Sequence, residues 1–538
     1  MTRVSNSGED ASSEGDVAEI AAASSVRGTM LGRLLGGSAV SLLGFFVTVL
    51  QAILQVPLLL AVWPGETFAS WVTAVAMHAL LVSGDVGFHS FIGVEIILIG
   101  LEKTADVRSL FAASLRIWAI LSLVQAAVVG VVWCVPGLMA SVAPDTARLL
   151  ASAAGPLAVL VVQWILVGSL HSLMCRVLLA GGQTVLFQWL GIVHRTLLFA
   201  AIVTAAWFGL GVNGVALAHA GVATVSGVVV VAYVIRDYPG ILPRWADGTC
   251  RSAWTLFGRS TGLTFSSMLE QLSVGGLTTL VAGAFHELQV AAFSTMRSLA
   301  NFVTQAAGVV MNPAVPELGR SAGPSTIHKA SLIIESAFVI GLAPLALAVS
   351  LAAPWMPALY GAWTRHELPF DVPLFIGLVV AVLVRQVGMP LQYFLLATNR
   401  VRPQFTASAI RVVVLYGFLP VTIPWMGLGG VGAALVVAEV CCTFYLVTAT
   451  SRSFVECGGT LEPRSIHLAS SHALIAAAAI SGVLLVGGSQ IVCIGSALVA
   501  HGIVLGLQIR RLPSHLIVRA IRAGSLGRLC TRIVMRRA

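Results

Sequence analysis

Long apolar segments recur along almost the whole chain, and they limit its possible folds more than any other feature. Stretches of roughly 18 or more apolar residues, each long enough to cross the hydrocarbon core of a bilayer, alternate with short polar segments. Only 10% of the 538 residues are charged, whereas soluble domains contain about 25%. Such a chain cannot cover itself with a water-facing surface. The sequence therefore predicts an all-α polytopic membrane protein.

The lengths of these segments predict fourteen transmembrane helices. They lie near residues 35–62, 69–100, 109–133, 148–174, 187–207, 212–235, 258–284, 288–315, 331–353, 371–397, 404–424, 429–450, 470–487 and 490–509. Lysine and arginine are concentrated in alternate loops, and the opposite loops contain almost none apart from Arg148 and Arg365. The positive-inside rule then places both termini in the cytoplasm of a bacterial inner membrane.

A repeated segment predicts how the helices are grouped. Residues 207–217 (WFGLGVNGVAL) recur as residues 425–435 (WMGLGGVGAAL), in both cases between two predicted spans of the same orientation. We therefore expect two similar six-helix lobes, residues 31–240 and 250–453, and two additional helices within 466–509. Transporters are often built from such repeats, with the substrate site at the interface between the halves.

The two ends of the chain differ in composition from the spans. Residues 1–30 are mostly small or polar, which predicts a disordered cytoplasmic tail because they cannot bury enough apolar surface to fold. Residues 510–538 place many arginines among Leu, Ile and Val. This basic tail is typical either of an amphipathic helix on anionic membrane lipids or of a simple topology anchor.

Several motifs that would indicate a cofactor or an enzyme fail in context. Both repeats contain G-x-G-x-x-G, but it lies in a hairpin between membrane spans and lacks the strand of a dinucleotide-binding unit. Neither lysine, Lys103 or Lys329, fits a phosphate-binding P-loop. The cysteines form no metal-ligand pattern, and no basic patch with aromatic residues indicates nucleic acid. We expect no cofactor, no metal and no nucleic-acid partner.

Polar and ionisable residues inside the predicted spans are the candidate site residues, because a charge at bilayer depth needs a partner or a water-filled cavity. Arg297, Asn301 and Gln305 follow one another at i, i+4 and i+8 along span eight, so they form one polar stripe. The full set of candidate substrate-binding residues is Gln51, Gln55, Asp85, Glu270, Arg297, Asn301, Gln305, Arg385 and Arg411, with Glu439 as a further buried acid. The alternative interpretation is that these groups pair with one another and only hold the bundle together.

Two of these spans resemble those of a known family. Gly84-Asp85-Val86-Gly87 in span two, and span eight from Arg297 to Asn312-Pro313 and Glu317, are similar to segments of Wzx-type O-antigen and polysaccharide flippases. These flippases belong to the multidrug/oligosaccharidyl-lipid/polysaccharide exporter superfamily. The basic C-terminal tail and the long N-terminal tail are not general in that family.

The resemblance implies two lobes around a central cavity lined by spans one, two, seven and eight. It implies a flippase rather than an enzyme, which moves an undecaprenyl-diphosphate-linked oligosaccharide outward for surface polysaccharide, lipopolysaccharide or exopolysaccharide biosynthesis. Asp85 and Arg297 would line the cavity, and a polysaccharide polymerase and chain-length machinery would be partners. Two alternatives remain open: an ion-coupled multidrug antiporter, favoured by a cavity of carboxylates and aromatic residues, and a membrane polymerase or ligase, favoured by an outward-facing acid/base pair.

Overall fold

A computed structural model of the chain describes residues 40–510, except residues 41–42, 140–143, 243–246, 312–317, 320, 322, 324, 399 and 487–488. Three of the sequence-based predictions fall outside these residues. They are the disordered tail at 1–30, all but the first residue of the basic tail at 510–538, and the Asn312-Pro313 and Glu317 part of the resemblance.

Fourteen long helices follow one another in the described part of the chain, which contains no strand. They are α1 (Leu43–Leu60), α2 (Gly65–Ile99), α3 (Thr104–Met139), α4 (Pro144–Gln163 and Ser169–Ala180, joined by a π turn at Trp164–Gly168), α5 (Thr184–Trp207), α6 (Val212–Asp237), α7 (Cys250–Gln271 and Leu277–Ala284, joined by a π turn at Leu272–Gly276), α8 (Glu287–Met311), α9 (Ile327–Ala337 and Ala343–Ala352, joined by a π turn at Phe338–Leu342), α10 (Val372–Ala397), α11 (Val401–Met426), α12 (Leu428–Glu456), α13 (Pro463–Leu484) and α14 (Gln490–Ile509).

Length and composition allow twelve of the described helices to cross a membrane. The two that do not meet this criterion are α7 and α8, which contain four of the ten polar residues that the sequence singled out: Glu270, Arg297, Asn301 and Gln305. Both lie within the bundle, where α7 packs on α2 and α11, and α8 packs on α2 and α10. The predicted all-α polytopic membrane fold is confirmed. We call α1–α6 the N-terminal lobe and α7–α12 the C-terminal lobe.

The repeated segments form equivalent hairpins in the two lobes. Gly209 and Gly427, which occupy the same position in the repeat, have φ angles of 74° and 55°. Such positive φ values favour glycine and allow the sharp turn before α6 and before α12. In the second repeat Gly432 also faces Gly377 of α10. An added Cβ on Gly377 would lie 2.6 Å from the backbone of Gly432. The repeat glycines thus serve turns and close helix contact.

The two lobes meet tightly where α2 packs against α7. An added Cβ on Gly87 would lie 2.8 Å from the Cα atom of Thr264 and 2.8 Å from the Ser267 hydroxyl oxygen. In the π turn of α7, an added Cβ on Gly275 would lie 2.7 Å from the Ala76 carbonyl oxygen of α2. Small residues therefore let the two backbones approach each other, as they do in many membrane helix pairs.

A second contact between the lobes depends on a proline. Pro57 lacks an N–H, so the Ile53 carbonyl of α1 has no backbone donor four residues later. The indole nitrogen of Trp363, in the segment after α9, donates to that carbonyl at 2.7 Å. This bond joins the two lobes and satisfies a backbone group that could not find a donor within its own helix.

Gly87→Ala is expected to lower the free energy of unfolding by about 1–3 kcal/mol, because the added methyl group overpacks a contact that involves backbone atoms. The matched control is Gly130→Ala on α3, where an added Cβ meets nothing within 4 Å. That change should be neutral or stabilising, since alanine favours the helix. Unfolding in detergent micelles measures both variants, and equal stabilities would contradict the packing argument.

Candidate functional site

The centre of the C-terminal lobe is organised around the π turn of α7. Three successive carbonyl groups of this turn accept hydrogen bonds from side chains of other helices. Arg297 of α8 donates to the Ser273 carbonyl at 2.8 Å and to the Val274 carbonyl at 2.6 Å. Tyr416 of α11 donates to the Leu272 carbonyl at 2.9 Å. A π turn disturbs the regular helical hydrogen bonding, and such turns are frequent at functional sites.

Two ion pairs lie beside Arg297. Arg385 of α10 contacts Glu270 of α7 at 2.5 Å, and Arg411 of α11 contacts Glu439 of α12 at 2.9 Å. The second pair is buried, with 3% and 6% of the side chains exposed, whereas Arg385 and Glu270 are 25% and 40% exposed. Three guanidinium groups thus face two carboxylates. The described cluster has one positive charge in excess, and it belongs to Arg297, whose named partners are neutral oxygens.

A small cavity of about 40 Å³ lies in the midst of this cluster. Its polar lining residues are Ser273, Arg297, Asn301, Thr304, Arg385 and Glu439, which come from α7, α8, α10 and α12. One water molecule needs roughly 10–15 Å³ of such volume. In this conformation the cavity has room for a few water molecules and is too small for a diphosphate or a sugar.

The structure brings together part of the set of candidate residues. Arg297, Asn301 and Arg385 line the cavity, Glu270 pairs with Arg385, and Arg411 pairs with the lining residue Glu439. Gln305 continues the stripe on α8 but is not among the lining residues, and its buried Oε1 has no partner among the described residues.

The remaining candidates lie in the N-terminal lobe. Gln51 of α1 donates to Thr196 of α5 at 3.3 Å. Gln55 is half-buried one turn further along α1. Asp85 of α2 belongs to a separate polar cluster. The described cavity is therefore one of the C-terminal lobe, and these three residues are not part of it.

Two residues of the site escaped the sequence analysis. Thr304 lies on the same face of α8 as Arg297 and Asn301, so helical spacing could have found it. The signal for Tyr416 is weaker, because a tyrosine in an apolar span is often only a packing residue. Its bond to the π turn depends on how α11 lies against α7, which the sequence of neither helix reveals.

Asp85 is 1% exposed and lies among neutral partners. Its Oδ2 accepts a hydrogen bond from the indole of Trp164, the first residue of the π turn in α4, at 2.7 Å. The side chains of Gln125 and Ser169 also lie near the carboxyl group. Within the described part of the chain, Asp85 Oδ1 and Gln125 Oε1 are both buried without a partner, while Gln125 Nε2 donates to the Leu81 carbonyl. A single proton on Asp85 would let the carboxyl group donate to Gln125 and would satisfy both oxygens.

Asp85→Asn is accordingly expected to leave the free energy of unfolding unchanged within about 0.5 kcal/mol, because the amide can accept from Trp164 and donate to Gln125. Asp85→Leu removes both interactions and leaves the Trp164 N–H unpaired, so a loss of about 1–3 kcal/mol is expected. Denaturant titration of the two variants measures the difference. A large loss in Asp85→Asn would show that the protein needs the ionised carboxylate.

Comparison with known proteins gives matches only at the level of structure. No protein-family model matches the chain, and no curated protein matches it. The lipid II flippase MurJ in an inward closed conformation matches with a TM-score of 0.63 at 12% identity, over 88% of this chain and 99% of MurJ. A mutant of the MATE transporter VcmN of Vibrio cholerae matches with a TM-score of 0.54 at 18% identity, over 80% of this chain and 98% of VcmN.

The chain has the fold of these membrane transporters. A third structure agrees: a multidrug resistance MATE family transporter of the MOP superfamily, in an inward-facing conformation, has a TM-score of 0.58 at 15% identity, over 75% of this chain and 94% of that transporter. The chain therefore spans nearly the full length of each of these proteins and extends beyond them. Together with the apolar helices, this fold identifies a multi-pass membrane protein.

Proposed function

We propose that the protein is a flippase that moves a polyprenyl-diphosphate-linked oligosaccharide from the cytoplasmic to the periplasmic leaflet by alternating access. The observation that supports this most is the excess guanidinium group in the cavity of the C-terminal lobe. A site with one uncompensated positive charge attracts an anion, and arginine is well suited to bind phosphate through two parallel hydrogen bonds.

The neutral groups of the cavity fit the rest of such a head group. Asn301, Thr304 and Ser273 offer amide and hydroxyl groups next to Arg297 and Arg385. Groups of this kind exchange hydrogen bonds with sugar hydroxyls, since each can act as donor or acceptor. The polyprenyl chain would stay in the bilayer while only the polar head group passes through the protein.

The two ion pairs then have different roles. The pair of Arg385 and Glu270 is partly exposed, so Arg385 can exchange its carboxylate for a substrate phosphate without first breaking a buried contact. The pair of Arg411 and Glu439 is buried and holds α11 to α12. Because the cavity admits only water in this conformation, binding requires α7 and α8 to move away from α10 and α12.

The proposal includes a bacterial inner membrane, cytoplasmic termini, and a surface polysaccharide pathway in which a polymerase and chain-length machinery act after export. No catalytic role is assigned to the chain. The alternating charge of the loops supports the cytoplasmic placement of the termini.

Ligand-induced stabilisation of the purified protein tests the substrate class. A polyprenyl diphosphate is expected to raise the thermal unfolding temperature, and inorganic pyrophosphate should do so more weakly, because binding to the folded state stabilises it. The uncharged polyprenol is the matched control and should have no effect. Stabilisation by lipophilic cations instead of diphosphates would favour the multidrug antiporter. Elongation or ligation of a lipid-linked oligosaccharide by the protein alone would favour the enzyme.

A further inference from the structure

A buried chain of polar side chains joins the last two helices to the C-terminal lobe. His472 of α13 and His501 of α14 are 0% and 3% exposed, and their ring planes are 10° apart. The two Nδ1 atoms are 2.8 Å apart. His472 Nε2 lies 3.1 Å from Gln508 Oε1, and His501 Nε2 lies 3.1 Å from the Ser350 hydroxyl of α9. These residues are outside the cluster around Arg297 and have no part in the proposed transport function.

The hydrogen-bond partners are compatible with a cationic pair of rings. The Ser350 hydroxyl lies 2.8 Å from the Ala346 carbonyl, which can only accept, so the hydroxyl donates there and accepts from His501 Nε2–H. Gln508 Oε1 likewise accepts from His472 Nε2–H. One further proton lies between the two Nδ1 atoms. This arrangement contains three ring protons on two imidazoles, which is one positive charge.

The same heavy-atom positions also suit a pair with one proton fewer. When His501 Nε2 is unprotonated, the Ser350 hydroxyl can turn and donate to it. The Ala346 carbonyl then still accepts the helical hydrogen bond from the backbone N–H of Ser350, because both residues lie in one α-helical segment. The neutral and the cationic pair are both fully hydrogen-bonded. They differ by one proton and the rotation of one hydroxyl group.

We propose that His472 and His501 form a proton-binding site that takes up and releases a single shared proton. Buried polar groups persist when all their hydrogen bonds are satisfied, and this pair meets that condition in both protonation states. The site joins α13 and α14 to α9. Its charge state therefore affects the contact between these two C-terminal helices and the C-terminal lobe. No part of the cavity around Arg297 is needed for this step.

The surroundings of the pair contain few other ionisable groups. The helices packed around it are α9, α10, α13 and α14. Glu335 of α9 accepts a bond from Ser331 and lies about four turns from Ser350, and Arg385 of α10 pairs with Glu270. Neither α13 nor α14 contains an aspartate or a glutamate. The other ionisable residues of these four helices and their capping positions are His328, Lys329, Asp371, Tyr393, Glu462, Arg464, His467, Cys493 and Arg510.

Nitrogen-15 NMR of the full chain, labelled at histidine and held in lipid nanodiscs, tests the proposal directly. Between about pH 8 and about pH 5, the range in which histidine titrates, the ring nitrogens of His472 and His501 are expected to shift together in one step that takes up one proton. His472→Gln and His501→Gln assign the signals, and each should abolish the shared step. His467→Gln changes an exposed residue on the same helix and should leave the shared step intact.

Two independent steps that take up two protons would overturn the proposal, as would ring shifts that do not change over this range. Ser350→Ala adds a second readout, because it removes the hydroxyl that alternates between accepting and donating. This variant is expected to move the midpoint of the shared step, whereas Ser496→Ala on α14, whose hydroxyl donates to the Cys493 carbonyl, should not. An unchanged midpoint in Ser350→Ala would also count against the site. Neither measurement involves a transported substrate, so the outcome is separate from the proposed function.

Discussion

Arg297→Ala is expected to reduce transport of a diphosphate-linked substrate by roughly 10–100-fold, because a charged hydrogen-bonded contact contributes about 1.5–3 kcal/mol. Arg297 is the guanidinium of the described cluster without a carboxylate partner, so it is the group that a phosphate would occupy. Arg297→Lys keeps the charge but cannot bind two acceptors in parallel. It should therefore recover only part of the activity. Quenching of a fluorescent lipid-linked saccharide in proteoliposomes measures the rate.

The controls separate a substrate role from a structural one. Arg297→Ala also leaves the Ser273 and Val274 carbonyls without their donors, so its unfolding temperature is measured alongside transport. Arg385→Ala is the second test, since that side chain is partly exposed and should lower transport with little loss of stability. Arg259→Ala, which removes an exposed partner of Glu95 from the third turn of α7, should leave transport unchanged. Full activity in both Arg297→Ala and Arg385→Ala would refute the proposed anion site.

The largest effect on stability is expected from the buried pair of Arg411 and Glu439. Glu439→Leu or Arg411→Met alone should cost about 3–5 kcal/mol, because each leaves an unpaired charge in a buried helix contact. The double variant removes both charges and should recover most of that loss, as apolar residues of similar volume often replace a buried ion pair well. Denaturant titration of the four proteins gives the coupling between the two positions.

The chain contains a matched control for this pair. Arg400 and Glu456 also form an ion pair at α11 and α12, but 29% and 61% of these side chains are exposed. Because solvent screens exposed pairs, Arg400→Met and Glu456→Leu should each cost less than about 1 kcal/mol. Losses that simply add in the double variant of Arg411 and Glu439 would show that the two charges do not depend on each other.

The candidate site was partly predictable because helical spacing determines which side chains share a face. Helical spacing predicted that Arg297 and Asn301 share one face of α8, and in the structure both side chains line the same small cavity. Spacing within one helix could not predict that Arg297 would bond to the backbone of α7, since the π turn at Leu272–Gly276 has no sequence signature comparable to a proline. It also could not place Asp85 and Arg297 in different clusters.

The sequence also could not predict which charged residues of different helices pair with each other. The sequence contained the candidate acids and arginines, but it left open whether they bind a substrate or only pair with one another. Glu270 and Arg385 are 115 residues apart in the chain, and their contact depends on the packing of α7 against the helices around it. The same holds for His472 and His501, whose bond forms only when α13 and α14 cross.

Sequence alone determined that this chain is an all-α membrane protein with many long apolar helices and a repeated glycine hairpin. Apolar length and glycine turns are local properties, and in a bilayer without water a helix satisfies the backbone groups of such a segment within the segment itself. Only the tertiary structure decided that the excess positive charge belongs to Arg297, that the described cavity lies within the C-terminal lobe, and that two histidine rings meet between α13 and α14. Those outcomes depend on atoms brought together from distant helices, and no spacing along the chain specifies such contacts.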